Sequence, residues 1–275
     1  MKKKIIIILS IVIITLLLSN VIVYAFLNKN LYQFFFSNDD NNQRSVTNNL
    51  LIKDNQKIEI DNYIITLEES LCEKNTQLGY LVFSIGDKDG KKVDASIDNY
   101  SKIIESFGKN QRFVFEYEAT GTMNKYAEYV GNTLYVYISF EIDGNILEEG
   151  KDLSECIKIT DTEEKYDNEY KQYTFNINFC DKCKKFKFDQ GMVYVSSLGL
   201  KIVADNVMGN FNISLYDKND DVIKNISNDE NSFSKSGCND NGVTKVQYTD
   251  QFDDLLNIES IKNVYINQKK LEEIK

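Results

Sequence analysis

Hydrophobic and polar residues alternate along much of the chain after Lys57, and this period of two predicts β-strands. In Arg112–Thr120, Phe113, Phe115 and Tyr117 fall on one face and charged residues mostly on the other. Strand-like segments recur about every 8–12 residues, separated by turn-forming Asp, Asn and Gly. Ile97–Phe107 is the exception, because its apolar residues follow the spacing of a short helix.

This order of elements predicts a mainly β protein. No βαβ alternation, GxGxxG motif or phosphate-binding loop is present in the sequence. Many short strands with frequent turns indicate one or two immunoglobulin-like β-sandwich domains after an N-terminal transmembrane helix.

The N-terminus predicts that helix. Ile5 to Phe26 is a run of 22 residues without a charge, long enough as a helix to cross a hydrocarbon core of about 30 Å. The lysines in Met1–Lys4 predict a cytoplasmic N-terminus and an extracellular C-terminal part. The alternative is a cleaved signal peptide and a secreted protein, with Val23-Tyr24-Ala25 as the cleavage signal.

Changes in composition divide the rest of the chain. Residues 1–26 are the predicted tail and anchor, and 27–56 form a predicted polar stalk, Asn-rich between Ser37 and Asn49. Tyr32 and Phe34–Phe36 could form an aromatic belt at the membrane interface. The charged stretch Thr160–Tyr170 is the candidate boundary between β-sandwich modules at 57–160 and 161–275.

Composition narrows the function. The formal net charge is −10, so the surface repels nucleic acid, and we predict no such partner. The absence of histidine excludes Ser-His-Asp and Cys-His catalysis and zinc sites that need imidazole. The absence of proline excludes an LPxTG-type wall-sorting signal. We therefore predict no catalytic residues, no metal site and no cofactor.

Cys180 and Cys183 form the one CxxC of the sequence, in FNINFCDKCKKFKFDQG. Apolar alternation on both sides favours a hairpin whose turn they close, as a disulfide or as free thiols. Two alternatives remain open: a redox pair, which needs a helix after the first cysteine, and a zinc site completed by two distant cysteines. The other cysteines are Cys72, Cys156 and Cys238.

Other polar and aromatic groups are weaker candidates. Asp217–Asp221 and Gly86–Gly90 are typical of turns, with weak calcium binding as the alternative. The simplest interpretation of the acidic pairs, such as Glu68-Glu69, is that they are solvated surface charges. The chain has many carboxylates, so their number does not exclude a glycosidase pair. One aromatic group either packs between strands or forms a ligand-facing cluster. Its members are Tyr126, Tyr129, Tyr135 and Tyr137.

Three segments together carry a family resemblance. They are DNYIITLEESLCEKNTQLGYLVFSI, then VYVSSLGLKIVADN with FNISLYDKNDDVI, then DLLNIESIKNVYINQKKLEEI. The chain resembles an uncharacterised family of Firmicutes membrane proteins, in which a span precedes β-sandwich modules and some relatives are similar to anti-sigma factors. It departs from that pattern at Cys72 and at Asn267-Gln268, where the family has an acidic residue and a glycine. The resemblance implies a fold and a location but assigns no catalytic residue.

These observations predict a single-pass bacterial cell-surface protein that binds, senses or supports structure and does not catalyse. The predicted partners are the membrane, through the N-terminal span, and a protein or other ligand that the sequence does not identify. One alternative is a sensor that acts through a membrane partner. Another is a carboxylate-based cell-wall hydrolase.

Overall fold

The computed structural model describes residues 34–35, 46, 50–115, 121–142, 152–161, 171–205, 210–228, 234–238 and 244–274. Within these ranges the protein is mainly β, as predicted, and its strands form four antiparallel sheets. None of the helices in the described part of the chain has the length and apolar character of a membrane span. The predicted span, residues 5–26, lies outside the described residues.

The first half of the chain builds two five-stranded sheets. Sheet 1 has the order β1-β2-β3-β8-β7, and sheet 2 has the order β10-β9-β6-β5-β4. The strands are β1 Ile52–Ile60, β2 Tyr63–Glu73, β3 Leu78–Asp87, β4 Ala95–Ile97, β5 Ile104–Phe107, β6 Gln111–Phe115, β7 Gly121–Val130, β8 Thr133–Ile142, β9 Ile157–Asp161 and β10 Gln172–Thr174.

The second half builds a six-stranded and a four-stranded sheet. Sheet 3 has the order β16-β17-β13-β12-β11-β20, and sheet 4 has the order β15-β14-β18-β19. The strands are β11 Cys183–Phe188, β12 Gly191–Ser196, β13 Gly199–Asp205, β14 Phe211–Tyr216, β15 Val222–Asn228, β16 Ser234–Cys238, β17 Thr244–Gln251, β18 Asn263–Ile266, β19 Lys269–Lys270 and β20 Glu272–Ile274. Ile258–Ser260 forms a 3₁₀ turn. Asn257 is its N-cap, and the Asn257 side chain accepts a hydrogen bond from the Glu259 N–H.

Each pair of sheets encloses a hydrophobic core, in the manner of a β-sandwich. Phe83 of β3, Val136 of β8 and Phe113 of β6 pack in the first core, between sheets 1 and 2. Val193 of β12 and Ile213 of β14 pack in the second core, between sheets 3 and 4. Burying one face of each strand explains the alternation in the sequence.

β10 pairs with β9, which places Gln172–Thr174 in sheet 2. Phe175 and Ile177 are also buried in the first core. These residues come after the predicted module boundary at 160 and 161. The division into two modules stays a prediction, and the first core includes residues on both sides of that boundary.

Sheet 1 is covered on its outer face as well, so Leu78–Ile85 is buried throughout. Phe34, Phe35, Val46 and Leu50 are helical and pack on this face. We call the buried group an outer-face cluster; its members are Val46, Leu71, Leu78, Tyr80, Val82, Tyr137, Leu198 and Leu255. The predicted polar stalk is therefore wrong in part, because β1 already begins at Ile52 and apolar residues before it pack on the sheet.

The helix predicted at Ile97–Phe107 is also wrong. That segment forms the hairpin of β4 and β5, in which Ala95 pairs with Phe107. The Asp98 carboxylate accepts hydrogen bonds from the N–H groups of Tyr100 and Ser101, and this local capping stabilises a turn. Tyr100, which the helical spacing placed on the apolar face, is 99% exposed.

Candidate functional site

A polar cavity of about 710 Å³ lies where the end of β2, the loop before β9 and the segment from Asn176 to Asp181 meet. Its lining is rich in amide, carboxylate and ammonium groups, with Phe179 as an aromatic wall. The polar residues are Lys74, Asn75, Asp152, Ser154, Asn176, Asn178, Asp181 and Lys185.

Backbone hydrogen bonds fix the Asn176–Asp181 segment against β2. The Cys180 N–H donates to the Cys72 carbonyl at 2.8 Å, and the Lys74 N–H donates to the Cys180 carbonyl at 2.9 Å. These bonds form a parallel bridge between Glu73 and Cys180. Paired residues in a sheet direct their side chains to the same face, so Glu73 and Cys180 share one face.

The alternation in this segment decides which side chains reach the cavity. Phe175 and Ile177 are buried in the first core, and Asn176 and Asn178, which alternate with them, are exposed on the opposite side. Gln56 of β1 holds Asn176 in place by donating from Nε2 to its carbonyl at 2.9 Å and accepting from its N–H at 2.7 Å. Two asparagine amides are thus presented to the cavity from an anchored backbone.

The cavity lining has two ammonium groups, from Lys74 and Lys185, and two carboxyl groups, from Asp152 and Asp181. The Ser154 backbone N–H donates to Asp152 Oδ1 at 2.8 Å, and this bond is the main reason that the pKa of Asp152 is lowered. Asp152 is therefore a fixed carboxylate at neutral pH. A cavity with this balance suits a polar ligand without a large net charge.

A cluster of metal-binding groups borders the cavity. One ligand atom from each of Glu73, Asp181 and Cys183 lies within 4.8 Å of the other two. Glu73 is only 1% exposed; it accepts from the Thr76 N–H at 2.6 Å and from Thr76 Oγ1 at 2.9 Å. Asn75 Nδ2 donates to Glu73 Oε1 at 3.1 Å and to Asp181 Oδ1 at 2.7 Å, and so links the two carboxylates.

Cys180 and Cys183 are free thiols in this structure, and the predicted disulfide between them stays a prediction. Burial raises the pKa of Cys180 to about 11 and that of Cys183 to about 12, and in both cases the Glu73 charge adds to the effect. In redox CxxC motifs the reactive thiol has a lowered pKa, and the first cysteine lies at the N-terminus of a helix. Cys183 instead begins a strand, so the structure does not favour the redox alternative.

The predicted hairpin around the CxxC is wrong. β11, which begins at Cys183, pairs with β12 and β20, whereas Phe175 and Ile177 belong to the first core. Cys180–Cys183 therefore connects the two halves of the protein. Cys72 and Cys156, the distant cysteines of the zinc alternative, are buried in the first core, and Cys72 lies on the strand face opposite Glu73.

The structure divides the tyrosine cluster between the two faces of sheet 1. Tyr126, Tyr135 and Tyr137 lie on the outer face, where Phe34 contacts Tyr126 and Tyr137. Tyr129 packs against the first core, and its hydroxyl donates to the Val93 carbonyl at 2.8 Å. These contacts favour strand packing over a single ligand-facing cluster.

The predicted acidic turns form as turns. In Asp217–Asp221, the Asp217 carboxylate accepts the N–H groups of Asn219 and Asp221 and so closes the loop between β14 and β15. In Gly86–Gly90, Asp87 accepts the Asp89 N–H in the same way.

Sequence reasoning found the two thiols but missed Glu73, Asp181 and the asparagine-lined cavity. Glu73 and Asp181 are far apart in the chain, and although Asp181 lies within the CxxC, nothing in the sequence indicates that the two residues meet. The alternation of YTFNINF was the available signal for Asn176 and Asn178, because it predicts that they point away from the core.

Comparison with known proteins gives no family. No protein-family model matches the chain, and no curated protein matches it. One solved structure, described as the conserved domain protein from Bacillus anthracis, is similar with a TM-score of 0.36 and 10% identity, over 89% of this chain and 92% of that chain. A likeness at this level carries no argument about the function of the present protein.

Proposed function

We propose that this protein is a bacterial cell-surface binding protein that takes an uncharged or weakly charged glycan in the polar cavity and does not catalyse. It would be anchored by residues 5–26 and carry immunoglobulin-like β-sandwich domains outside the cell, as in the Firmicutes family that it resembles. The observation that carries the proposal is the cavity lining: three asparagine amides, balanced charges and Phe179. Amide groups donate and accept hydrogen bonds together, as sugar hydroxyls require, and an aromatic ring can stack on a sugar face.

The packing of Phe34 supports a short connection to the membrane. If the span ends at Phe26, the eight residue steps to Phe34 reach at most about 28 Å. Phe34 already contacts the outer face of sheet 1. The proposal therefore holds sheet 1 close to the bilayer instead of at the end of a long stalk.

Glycan binding can be tested with the full chain in detergent, using peptidoglycan fragments and a panel of neutral and charged glycans. We expect saturable binding without turnover, weakened at least tenfold by Asn178→Ala. Asn225→Ala is the matched control, because Asn225 is also an exposed asparagine but lies on β15 of sheet 4. Equal binding by both variants, or no binding to any glycan, would reject the proposal.

The same assay addresses the hydrolase alternative, since Asp152 and Asp181 line one cavity. A glycosidase needs one protonated carboxyl as general acid, and the lowered pKa of Asp152 makes it unsuited to that role. Asp181 is the other carboxyl group that lines this cavity. Release of new reducing ends by the wild type, and its loss in Asp181→Asn, would replace the binding proposal with the hydrolase.

Topology can be tested by placing a cysteine at Tyr100, which is 99% exposed. We expect Tyr100→Cys to react with a membrane-impermeant maleimide in intact cells, above the labelling of the unmodified chain. Labelling only after lysis would reject the extracytoplasmic location. A shift to the culture medium would show that the span is cleaved.

A further inference from the structure

We propose that Glu73, Asp181 and Cys183 form a binding site for a thiophilic divalent cation of the zinc class. The site borders the polar cavity and shares Asp181 with its lining, but cation binding does not depend on the proposed glycan binding. It departs from the sequence-based expectation of no metal site, because the fold brings Glu73 together with the distant segment that holds Asp181 and Cys183. Glu73 ends β2, whereas Asp181 and Cys183 lie just before and at the start of β11.

The spacing of the three ligand atoms fits a single ion. Zinc lies about 2.3 Å from a thiolate sulfur and about 2.0–2.2 Å from a carboxylate oxygen, so two ligands on one ion are at most about 4.5 Å apart. The atoms of Glu73, Asp181 and Cys183 are within 4.8 Å of one another. Asp181 is exposed, so its side chain has room to turn toward the other two ligand atoms.

A second observation is the burial of the Glu73 carboxyl group. At 1% exposure its carboxylate is removed from water, and a buried charge is costly unless it is paired or binds a metal. Its hydrogen-bond donors, Asn75 and Thr76, are uncharged. In the described part of the chain, Glu73 forms no salt bridge. A bound cation would supply the missing positive charge.

Neighbouring groups are arranged as a metal site requires. Asn75 bridges Glu73 and Asp181, and Thr76 orients the other Glu73 oxygen, so the outer hydrogen bonds fix both carboxylates. The thiol selects soft cations such as zinc over calcium and magnesium, which prefer ligand sets made only of oxygen. Three protein ligands leave a fourth tetrahedral position for water or another group.

Binding must displace the thiol proton of Cys183, so one proton is released for each ion bound. A Cys180–Cys183 disulfide would consume the same sulfur. An occupied metal site and that disulfide therefore exclude each other, and the reduced protein is the form to test.

The test is a titration of the reduced, metal-free full chain with Zn²⁺ and with Co²⁺. We expect one ion per chain and a sulfur-to-cobalt charge-transfer band in the near ultraviolet. Cys183→Ser should abolish the band and weaken zinc binding at least tenfold, since even changes outside the ligand set cost about 10–100-fold. Asp181→Asn should weaken binding similarly while leaving the buried Glu73 in place.

Cys180→Ser is the matched control, because Cys180 is a half-buried thiol in the same loop but outside the ligand set. It should keep the band and the affinity, and circular dichroism should show that all variants are folded. The proposal is overturned if the wild type binds no zinc, if Cys183→Ser binds as tightly as the wild type, or if both thiol variants lose binding equally.

Discussion

The ring of Phe34 lies parallel to the ring of Tyr137, with centroids 3.8 Å apart and an interplanar angle of 6°. Phe34 precedes β1 by many residues, and Tyr137 is at the middle of β8. Tyr137 is 1% exposed, and its hydroxyl donates to Glu128 Oε1 at 3.0 Å. The chain before the first strand is thus part of the packing of sheet 1.

We expect Phe34→Ala to lower the free energy of unfolding by about 1–2 kcal/mol, from the lost ring stacking and the partly buried apolar area. Urea denaturation followed by tyrosine fluorescence measures the change. Tyr100→Ala removes a fully exposed ring and should stay within about 0.5 kcal/mol of the wild type. Equal effects of the two changes would contradict the packing of Phe34 on the sheet.

Local turn chemistry explains why many hairpins could be predicted. The Asp61-Asn62 and Asn267-Gln268 turns join neighbouring strands, and Asn267 and Gln268 adopt φ values of 49° and 67°, typical of two-residue hairpin turns. Each signal is contained in two residues. The helix predicted at Ile97–Phe107 was wrong because it was based on apolar spacing alone. The hydrogen bonds of the Asp98 side chain form a turn there instead.

The site could not be predicted because it depends on the pairing of distant segments. Cys180 is placed beside Glu73 by a parallel bridge across more than a hundred residues, and no local pattern encodes that contact. The outer-face cluster was missed similarly, since Phe34 and Phe35 are as suited to a membrane interface as to a protein core. Apolar character alone does not say which surface covers a residue.

A second prediction concerns Gly79 of β3, which faces Phe140 and Cys72 across the neighbouring strands. A Cβ at this position would collide with the Phe140 ring and lie 2.7 Å from Cys72 Sγ. We expect Gly79→Ala to destabilise the protein by about 1–3 kcal/mol through overpacking. The measurement is the urea midpoint at constant slope.

Gly86→Ala is the control on the same strand, because nothing lies within 4 Å of its Cβ position. It should stay within about 0.5 kcal/mol of the wild type or stabilise slightly, since alanine reduces the freedom of the unfolded chain. If Gly79→Ala proved as harmless as Gly86→Ala, the tight contact of β3 with Phe140 would be incorrect.

A third prediction tests how Asn176 is held at the cavity. The Gln56 side chain makes both hydrogen bonds with the Asn176 backbone, so Gln56→Ala should speed hydrogen exchange at the Asn176 amide. The Ile177 amide is an internal control, because it donates to the Ser154 carbonyl at 2.6 Å and does not contact Gln56. Unchanged exchange at Asn176 would show that the Gln56 contact does not hold this segment.

The last prediction concerns pH. Burial raises the pKa of Asp250 above its ordinary value of 3.8, although Lys224 acts in the opposite direction. At a pH below the pKa of the unfolded state, Asp250 is protonated in both the folded and the unfolded protein and does not change the stability. As the pH rises from that value through the raised folded pKa, the unfolded state loses the proton first, so stability falls and the cost persists at neutral pH.

Asp250→Asn removes this cost, so its stability relative to the wild type should increase as the pH rises through that window. Asp98 provides a control of opposite sign, because hydrogen bonds from Ser101 lower its pKa below 3.8. Its stabilising contribution is present above the unfolded value and is lost as the pH falls through the folded pKa. Asp98→Asn should therefore lose stability relative to the wild type as the pH rises. The measurement is the urea midpoint of each variant relative to the wild type from about pH 3 to pH 7. If this difference changed with pH in the same direction for both variants, the burial of Asp250 would be contradicted.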